Sequence, residues 1–170
     1  MAVLVSDTSV IIDLERAGLL DEMFLLPYEF AVPDLLYARE LQGDLGERLI
    51  ALGLRIEELT DVELRRATIV NRQHVRLSVP DTFAFALAEA RTWALLTGDG
   101  TLRELAASKQ VTMHGVLWLF DQMADGQYVI FERLYGGLTR LFAHPRCRLP
   151  ANEVRRRMAR FANQRLQAPN

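Results

Sequence analysis

The hydrophobic positions of the chain fall into two alternating patterns. Short apolar runs at residues 2–6, 30–32, 94–97 and 111–113 are bounded by polar or turn residues, which is typical of buried strands. Residues 54–59 broadly alternate apolar and charged side chains, which also predicts a strand. Between these runs, apolar residues recur at three- and four-residue spacing, which predicts helices. The order is a strand followed by one or more helices, repeated along the chain. This alternation predicts an α/β fold in which helices cover both faces of a parallel sheet.

Helix boundaries are marked by capping and breaking residues. Asp7 and Thr60 precede helical runs, whereas Gly18 and Pro27 follow them. The predicted helices cover residues 10–17, 19–26, 34–41, 49–52, 61–75, 82–91, 101–108, 116–124 and 152–166.

Charge is distributed unevenly along the sequence. Residues 1–137 hold 21 acids against 11 Arg and one Lys, a net charge of −9, and residues 138–170 hold 8 Arg against one acid, a net charge of +7. The overall charge of −2 therefore describes neither part. Because the composition changes after Gly136 and Gly137, we expect a domain over residues 1–137 and an Arg-rich extension over residues 138–170. The extension is predicted to be helical and to pack on the domain or on a partner subunit.

Several classes of protein are disfavoured by what the sequence lacks. It has a single cysteine, Cys147, so no disulfide can form within the chain. No apolar run approaches the ~20 residues of a membrane span, and no signal peptide is visible. The three histidines are too widely spaced for a zinc motif, and glycine-rich nucleotide-binding motifs are absent. We therefore expect a cytoplasmic protein without a membrane segment.

Four acidic residues lie near the predicted carboxyl ends of strands, where parallel α/β proteins form their binding and active sites. Asp7 and Asp99 directly follow predicted strands, Asp81 follows Pro80 at the start of a helix, and Glu40 lies on the helix after the second strand. Carboxylates that converge at one edge of a sheet repel each other, and a hard divalent cation relieves that repulsion. Mg²⁺ and Mn²⁺ bind through a few carboxylates together with substrate phosphate, which favours phosphoryl chemistry.

Each acidic residue also has an ordinary structural interpretation. Asp7 and Asp81 are good helix N-caps, Asp99 between two glycines is compatible with a turn, and Glu40 with a solvated helix face. Capping, however, does not explain Glu40 or the strand-end Asp99, so the joint pattern favours a metal site.

Four segments that carry these acids resemble motifs of the PIN-domain ribonucleases. They occur in the family order, and the resemblance covers about residues 3–135. The segments are residues 5–13 (VSDTSVIID), 32–41 (VPDLLYAREL), 77–88 (LSVPDTFAFALA) and 95–103 (LLTGDGTLR).

The resemblance implies a three-layer α/β/α sandwich with a five-stranded parallel sheet, here followed by the basic extension. It also implies an Mg²⁺- or Mn²⁺-dependent nuclease acting on RNA, or less often on DNA, through metal-activated water. The family's acidic quartet, which binds the metal and carries catalysis, falls on Asp7, Glu40, Asp81 and Asp99. Its supporting polar positions fall on Ser9 and Thr97. Many bacterial members are VapC-like toxins, often dimeric and inhibited by a small antitoxin, so RNA, an antitoxin and a second copy are the expected partners.

Two features depart from a minimal VapC-like toxin, namely the basic extension and residues 114–120, which resemble a subgroup described only as predicted nucleic-acid-binding proteins. The arginines offer possible phosphate contacts, since guanidinium groups bind phosphates in a bidentate manner. Arg103 follows the Asp99 turn, and Arg155, Arg156 and Arg157 lie on the last helix. The structural alternatives are a salt bridge for Arg103 and, for the other three, a solvated face or pairing with acids of residues 1–137.

The leading hypothesis is therefore a metal-dependent endoribonuclease, for which the resemblance also suggests the role of toxin in a toxin–antitoxin pair. The alternative is a PIN-fold nucleic-acid-binding or regulatory module without significant nuclease activity. A response-regulator receiver is disfavoured because no acidic pair follows the first strand and Lys109 does not end a strand. A haloacid-dehalogenase-like phosphatase is disfavoured because Ser9 stands where a second aspartate is needed.

Overall fold

The computed structural model, which describes residues 1–167, contains a five-stranded, all-parallel sheet. This confirms the predicted α/β class. The last three residues of the predicted extension, 168–170, lie outside the described part of the chain. The strands are β1 (Ala2–Ser6), β2 (Tyr28–Pro33), β3 (Arg55–Glu57), β4 (Ala94–Leu96) and β5 (Met113–His114).

The strand order is β3-β2-β1-β4-β5, so β1 lies in the middle. The chain leaves β1 in one direction to form β2 and β3, and then returns to the other side of β1 to form β4 and β5. β1 and β4 are paired with Val5 opposite Leu95 and Ser6 opposite Leu96, which confirms that the two strands expected to carry Asp7 and Asp99 are neighbours. The carboxyl ends of β1 and β4 therefore form the topological switch point, where open α/β sheets bind ligands.

Helices fill the connections between the strands, and a turn of π-helix (Tyr37–Leu41, the π-turn) follows α3. The helices are α1 (Thr8–Ala17), α2 (Leu20–Met23), α3 (Asp34–Leu36), α4 (Asp44–Leu52), α5 (Asp61–Gln73), α6 (Val79–Arg91), α7 (Gly100–Ser108), α8 (Val116–Asp125), α9 (Phe131–Ala143) and α10 (Ala151–Gln167).

The chain forms two compact units. The first consists of Met1–Ile11 and Pro27–Gly115 and contains the whole sheet. Its core includes Phe30 and Phe85, both fully buried. The second consists of Ile12–Leu26 and the described chain from Val116 onward. In it, α9 and α10 pack together, and the ring of Phe161 stacks on that of Phe120 at 6.5 Å.

Helix α9 was not predicted, because Gly136 and Gly137 were interpreted as the end of a domain. Both glycines lie inside this helix, so the predicted boundary between residues 137 and 138 falls within it. Gly137 is required by packing, since a Cβ there would lie 2.7 Å from Leu19 Cδ1 and 2.9 Å from the Ala17 carbonyl oxygen. A helical glycine can thus mark the close approach of another segment rather than a break.

Other predicted boundaries also shift. Helix α2 covers only Leu20–Met23 of the predicted residues 19–26, and helix α4 begins at Asp44 rather than at residue 49. Helix α6 begins at Val79, where Ser78 is the N-cap, rather than at Thr82. β3 and β5 are shorter than the apolar runs that predicted them. Helix α10 closely matches the predicted helix over residues 152–166.

Among the described residues, no helix combines the length and apolar character required to cross a bilayer.

Candidate functional site

Asp7 lies directly after β1 at the switch point, and its carboxylate is held by three donors. Ser9 Oγ donates to Oδ1 at 2.7 Å, and the backbone N–H of Val10 donates to the same oxygen at 3.1 Å. Thr97 Oγ1 donates to Oδ2 at 2.5 Å. Asp7 is only 2% exposed, and no arginine or lysine of the described chain pairs with it. Its orientation is therefore fixed by hydroxyl and backbone donors.

Burial dominates the electrostatics of this carboxylate. Loss of hydration raises the pKa of Asp7 from 3.8 to about 6, although the hydrogen bonds from Thr97, Ser9 and Val10 act in the opposite direction. The negative charge of Asp81 raises this pKa further. Asp7 thus lies in a site that disfavours its charged form and in which a cation would be stabilised.

Asp81 belongs to the same cluster of negative charge. It is the third residue of α6, and its backbone N–H donates to Ser78 Oγ at 3.2 Å. Ser78 rather than Asp81 caps this helix, so the capping interpretation of Asp81 was wrong. Burial raises the pKa of Asp81, and the charges of Asp99 and Glu40 raise it further. Asp81 therefore interacts electrostatically with all three other members of the predicted quartet.

Asp99 follows β4 and begins α7. Its Oδ1 accepts a hydrogen bond from the Leu102 N–H at 2.8 Å, so it is the N-cap of this helix. The argument that capping could not explain Asp99 was therefore wrong. Capping occupies one carboxylate oxygen and leaves the exposed side chain facing solvent, so it does not prevent the residue from binding a cation.

Ser9 and Thr97 connect the two strand ends. Ser9 Oγ donates to Asp7 and accepts from the Gly98 N–H at 3.1 Å. Thr97 Oγ1 donates to Asp7 and accepts from the Asp99 N–H at 3.0 Å. Each hydroxyl thereby uses its donor on the buried carboxylate and its acceptor on the loop after β4. The structure thus places both residues predicted as polar support directly at Asp7.

Glu40 lies on the π-turn and is exposed. One of its carboxylate oxygens accepts a hydrogen bond from Thr8 Oγ1. From the sequence, Thr8 is assigned to the turn after β1 rather than to the site. Its position between Asp7 and Ser9 was the available signal, because a residue at a strand end faces the same edge of the sheet as its neighbours.

The four carboxylates have the chemistry that a hard divalent cation needs, since Mg²⁺ and Mn²⁺ prefer oxygen ligands. Within residues 1–167, however, no three His, Cys, Asp or Glu side chains are grouped closely enough to form a complete metal site. Mg²⁺ retains several waters and commonly takes ligands from substrate phosphate, so a protein need not supply a closed set of ligands. The donor set fits a weakly held cation that shares its coordination with substrate.

The predicted phosphate-binding arginines have different environments. Arg103 is exposed on the first turn of α7, and its Nη1 lies 3.1 Å from the position that a Cβ on Gly115 would occupy. Arg157 is only 14% exposed and forms ion pairs with Asp121 and Glu153.

Arg156 is also paired with Glu153, whereas the guanidinium of Arg155 lies over the ring of Phe142. Arg157 therefore pairs with an acid of residues 1–137, which was the structural alternative, whereas the acid paired with Arg156 lies in the extension itself. Arg103 and Arg155 have no acidic partner among the described residues.

The parallel sheet with strand order β3-β2-β1-β4-β5 and the acidic switch point define an α/β protein with a polyanionic site at the carboxyl edge of its sheet. The sequence model of the PIN-domain family matches residues 3–163, so this chain belongs to the PIN-domain family. PIN domains are generally nucleases and typically use divalent metals. The match extends through most of the predicted Arg-rich extension. No curated protein matches the sequence at a significant level.

Proposed function

We propose that this protein is a divalent-metal-dependent endoribonuclease in which Asp7, Glu40, Asp81 and Asp99 bind the metal. The observation that carries the proposal is that the carboxylate of Asp7 is buried and has no cationic partner among the described residues. A buried carboxylate without a cationic partner is costly, and here two strand ends supply hydroxyl groups that keep it in place. Asp7 also caps α1 through the Val10 N–H, but a buried carboxylate held in this way is expected where its charge serves to bind a cation as well.

The residues around Asp7 have different roles in the proposed metal site. Ser9 and Thr97 orient its carboxylate, and Asp99 approaches from the β4 side with one oxygen used as a helix cap. Asp81 and Glu40 add negative charge from α6 and the π-turn. Together these groups would repel a phosphodiester unless a cation were bound. A bound Mg²⁺ or Mn²⁺ would supply charge neutralisation at the phosphate and would lower the pKa of a coordinated water.

RNA is the proposed substrate because the four motifs resemble those of PIN-domain ribonucleases. The exposed Arg103, which has no acidic partner among the described residues, lies on α7 three residues beyond its first residue and would add a phosphate contact at the mouth of the site.

The test is a cleavage assay on single-stranded and structured RNA in Mg²⁺, in Mn²⁺ and in EDTA. Wild-type protein should cleave in either metal and not in EDTA. Asp99→Asn should abolish cleavage while retaining the helix cap, because Asn and Asp cap helices equally well. Asp61→Asn, an exposed change at the start of α5, is the matched control and should cleave at the wild-type rate. RNA binding without metal-dependent cleavage would reject the proposal in favour of a binding module.

A toxin role is proposed on the same resemblance, as are an antitoxin partner and a homodimer. Induced expression of the wild-type chain should then arrest growth, whereas equal expression of Asp99→Asn should not. Growth at the normal rate with active nuclease would separate the enzyme from the toxin role.

A further inference from the structure

The π-turn that carries Glu40 places its flanking side chains in an unusual way. The N–H of Gln42 donates to the carbonyl of Tyr37 at 2.9 Å, five residues earlier, so one extra residue is accommodated in the turn. Leu36 and Leu41 are five residues apart and both are buried. In a regular α-helix such residues point about 140° apart. The wider turn therefore lets both leucines reach the core while Glu40 stays exposed.

Gly46 in α4 packs against both ends of this turn. A Cβ at position 46 would lie 2.5 Å from the carbonyl oxygen of Leu41 and 2.8 Å from the hydroxyl oxygen of Tyr37. Glycine inside a helix costs about 1 kcal/mol relative to alanine. Its presence here is explained by the close approach of α4 to the π-turn, which no larger residue permits.

Thr8 fixes the carboxylate of Glu40 by a hydrogen bond. Its hydroxyl donates to the Glu40 carboxylate, and it is the neighbour of Asp7 at the end of β1. The backbone of Glu40 is thus set by the π-turn, and its carboxylate is tied to the strand end that carries the buried aspartate. A charged side chain that is exposed on a helical turn would otherwise sample several rotamers.

We infer that Gly46 and Thr8 are positioning residues for Glu40: Gly46 fixes the π-turn and Thr8 fixes the carboxylate. The inference rests on the proposed function, because it assigns Glu40 a role in metal binding. Groups that orient metal ligands typically contribute 10- to 100-fold to metal affinity or activity. Gly46→Ala and Thr8→Val should therefore each reduce cleavage by about that factor.

The experiment is a double-mutant cycle with Glu40→Gln, measured both as RNA cleavage and as the thermal stabilisation produced by Mn²⁺ in the absence of RNA. If Gly46 and Thr8 act through Glu40, neither substitution should reduce cleavage or Mn²⁺ stabilisation further in the Glu40→Gln background. Gly136→Ala is the matched control, since its Cβ would meet nothing closer than 3.7 Å. It should retain wild-type cleavage and Mn²⁺ stabilisation.

Equal losses in the wild-type and Glu40→Gln backgrounds would overturn the inference, because the two residues would then act independently of Glu40. Thr8→Val keeps the test decisive if Gly46→Ala does not fold, since valine is nearly isosteric with threonine and the change removes only the hydroxyl. If Asp7→Asn cleaves RNA normally, the nuclease proposal itself fails. If Asp7→Asn is inactive while Glu40→Gln is fully active, the nuclease proposal stands and the positioning inference fails.

Discussion

Asp7 should make the metal-free protein less stable than a variant that carries a neutral side chain in its place. Its pKa is raised from 3.8 to about 6 in the folded state, mainly by burial. A carboxyl group whose pKa is raised on folding contributes most to stability below pH 4, where it is protonated in both states. That contribution is lost as the pH rises through 6. The difference corresponds to about 3 kcal/mol at pH 8.

Asp7→Asn removes this penalty at a smaller cost. The amide oxygen can still accept from Ser9 and from the Val10 N–H, while the amide nitrogen faces Thr97, whose hydroxyl must reorient. Loss of one good hydrogen bond costs about 1 kcal/mol. The variant should therefore be more stable than the wild type by about 2 kcal/mol at pH 8, which is an increase in Tm of roughly 4–8 °C.

The assay is thermal unfolding in EDTA from pH 4 to pH 8, beside the exposed control Asp61→Asn. The stability advantage of Asp7→Asn should appear only as the pH rises above about 5, and at pH 4 the wild type should be at least as stable. Mn²⁺ should raise the Tm of the wild type and not that of Asp7→Asn, because binding to the folded state adds stability. A wild type that equals or exceeds Asp7→Asn at pH 8 in EDTA would refute the electrostatic reasoning.

Three further substitutions test other parts of the structure. Thr92→Gly should stabilise the protein by about 1 kcal/mol in thermal unfolding without changing cleavage, because Thr92 has φ 55 in the left-handed region. Arg157→Ala should lower the free energy of unfolding by about 2 kcal/mol, since it leaves Asp121 without its bidentate partner, whereas the exposed Arg155→Ala should change it by less than about 0.5 kcal/mol. Thr97→Val should reduce RNA cleavage about 10- to 100-fold while the far-UV circular dichroism spectrum stays unchanged.

Strands β1 and β4 could be predicted because they are continuous apolar runs, which is typical of strands buried on both faces, whereas the edge strand β3 was predicted from alternation. Asp7 and Asp99 could be located for the same reason, since each directly follows such a run. A doubly wound sheet allows β1 and β4 to be neighbours, and the pairing of Ser6 with Leu96 shows that they are.

The errors came from residues whose role depends on distant contacts. The change of composition after Gly136 and Gly137 predicted a domain boundary there, yet Gly137 lies inside α9, where Leu19 and Ala17 approach closely. For Arg157 the sequence left phosphate contact and pairing with acids both open, because its partner Asp121 lies 36 residues away along the chain. The π-turn at Glu40 also has no local pattern that distinguishes it from an α-helix. Such features depend on contacts between segments distant in sequence, which cannot be predicted from the spacing of hydrophobic residues.

The hydroxyl bridges of Ser9 and Thr97 have a consequence for how the protein is made. They join segments separated by about 90 residues of sequence, so the carboxylate site does not exist in the first half of the chain. At synthesis rates of about 5–20 residues per second, roughly 5–20 s pass between the synthesis of Asp7 and that of Thr97. A nascent chain on the ribosome, surrounded by RNA, therefore acquires its assembled acidic site only after β4 has emerged and paired with β1.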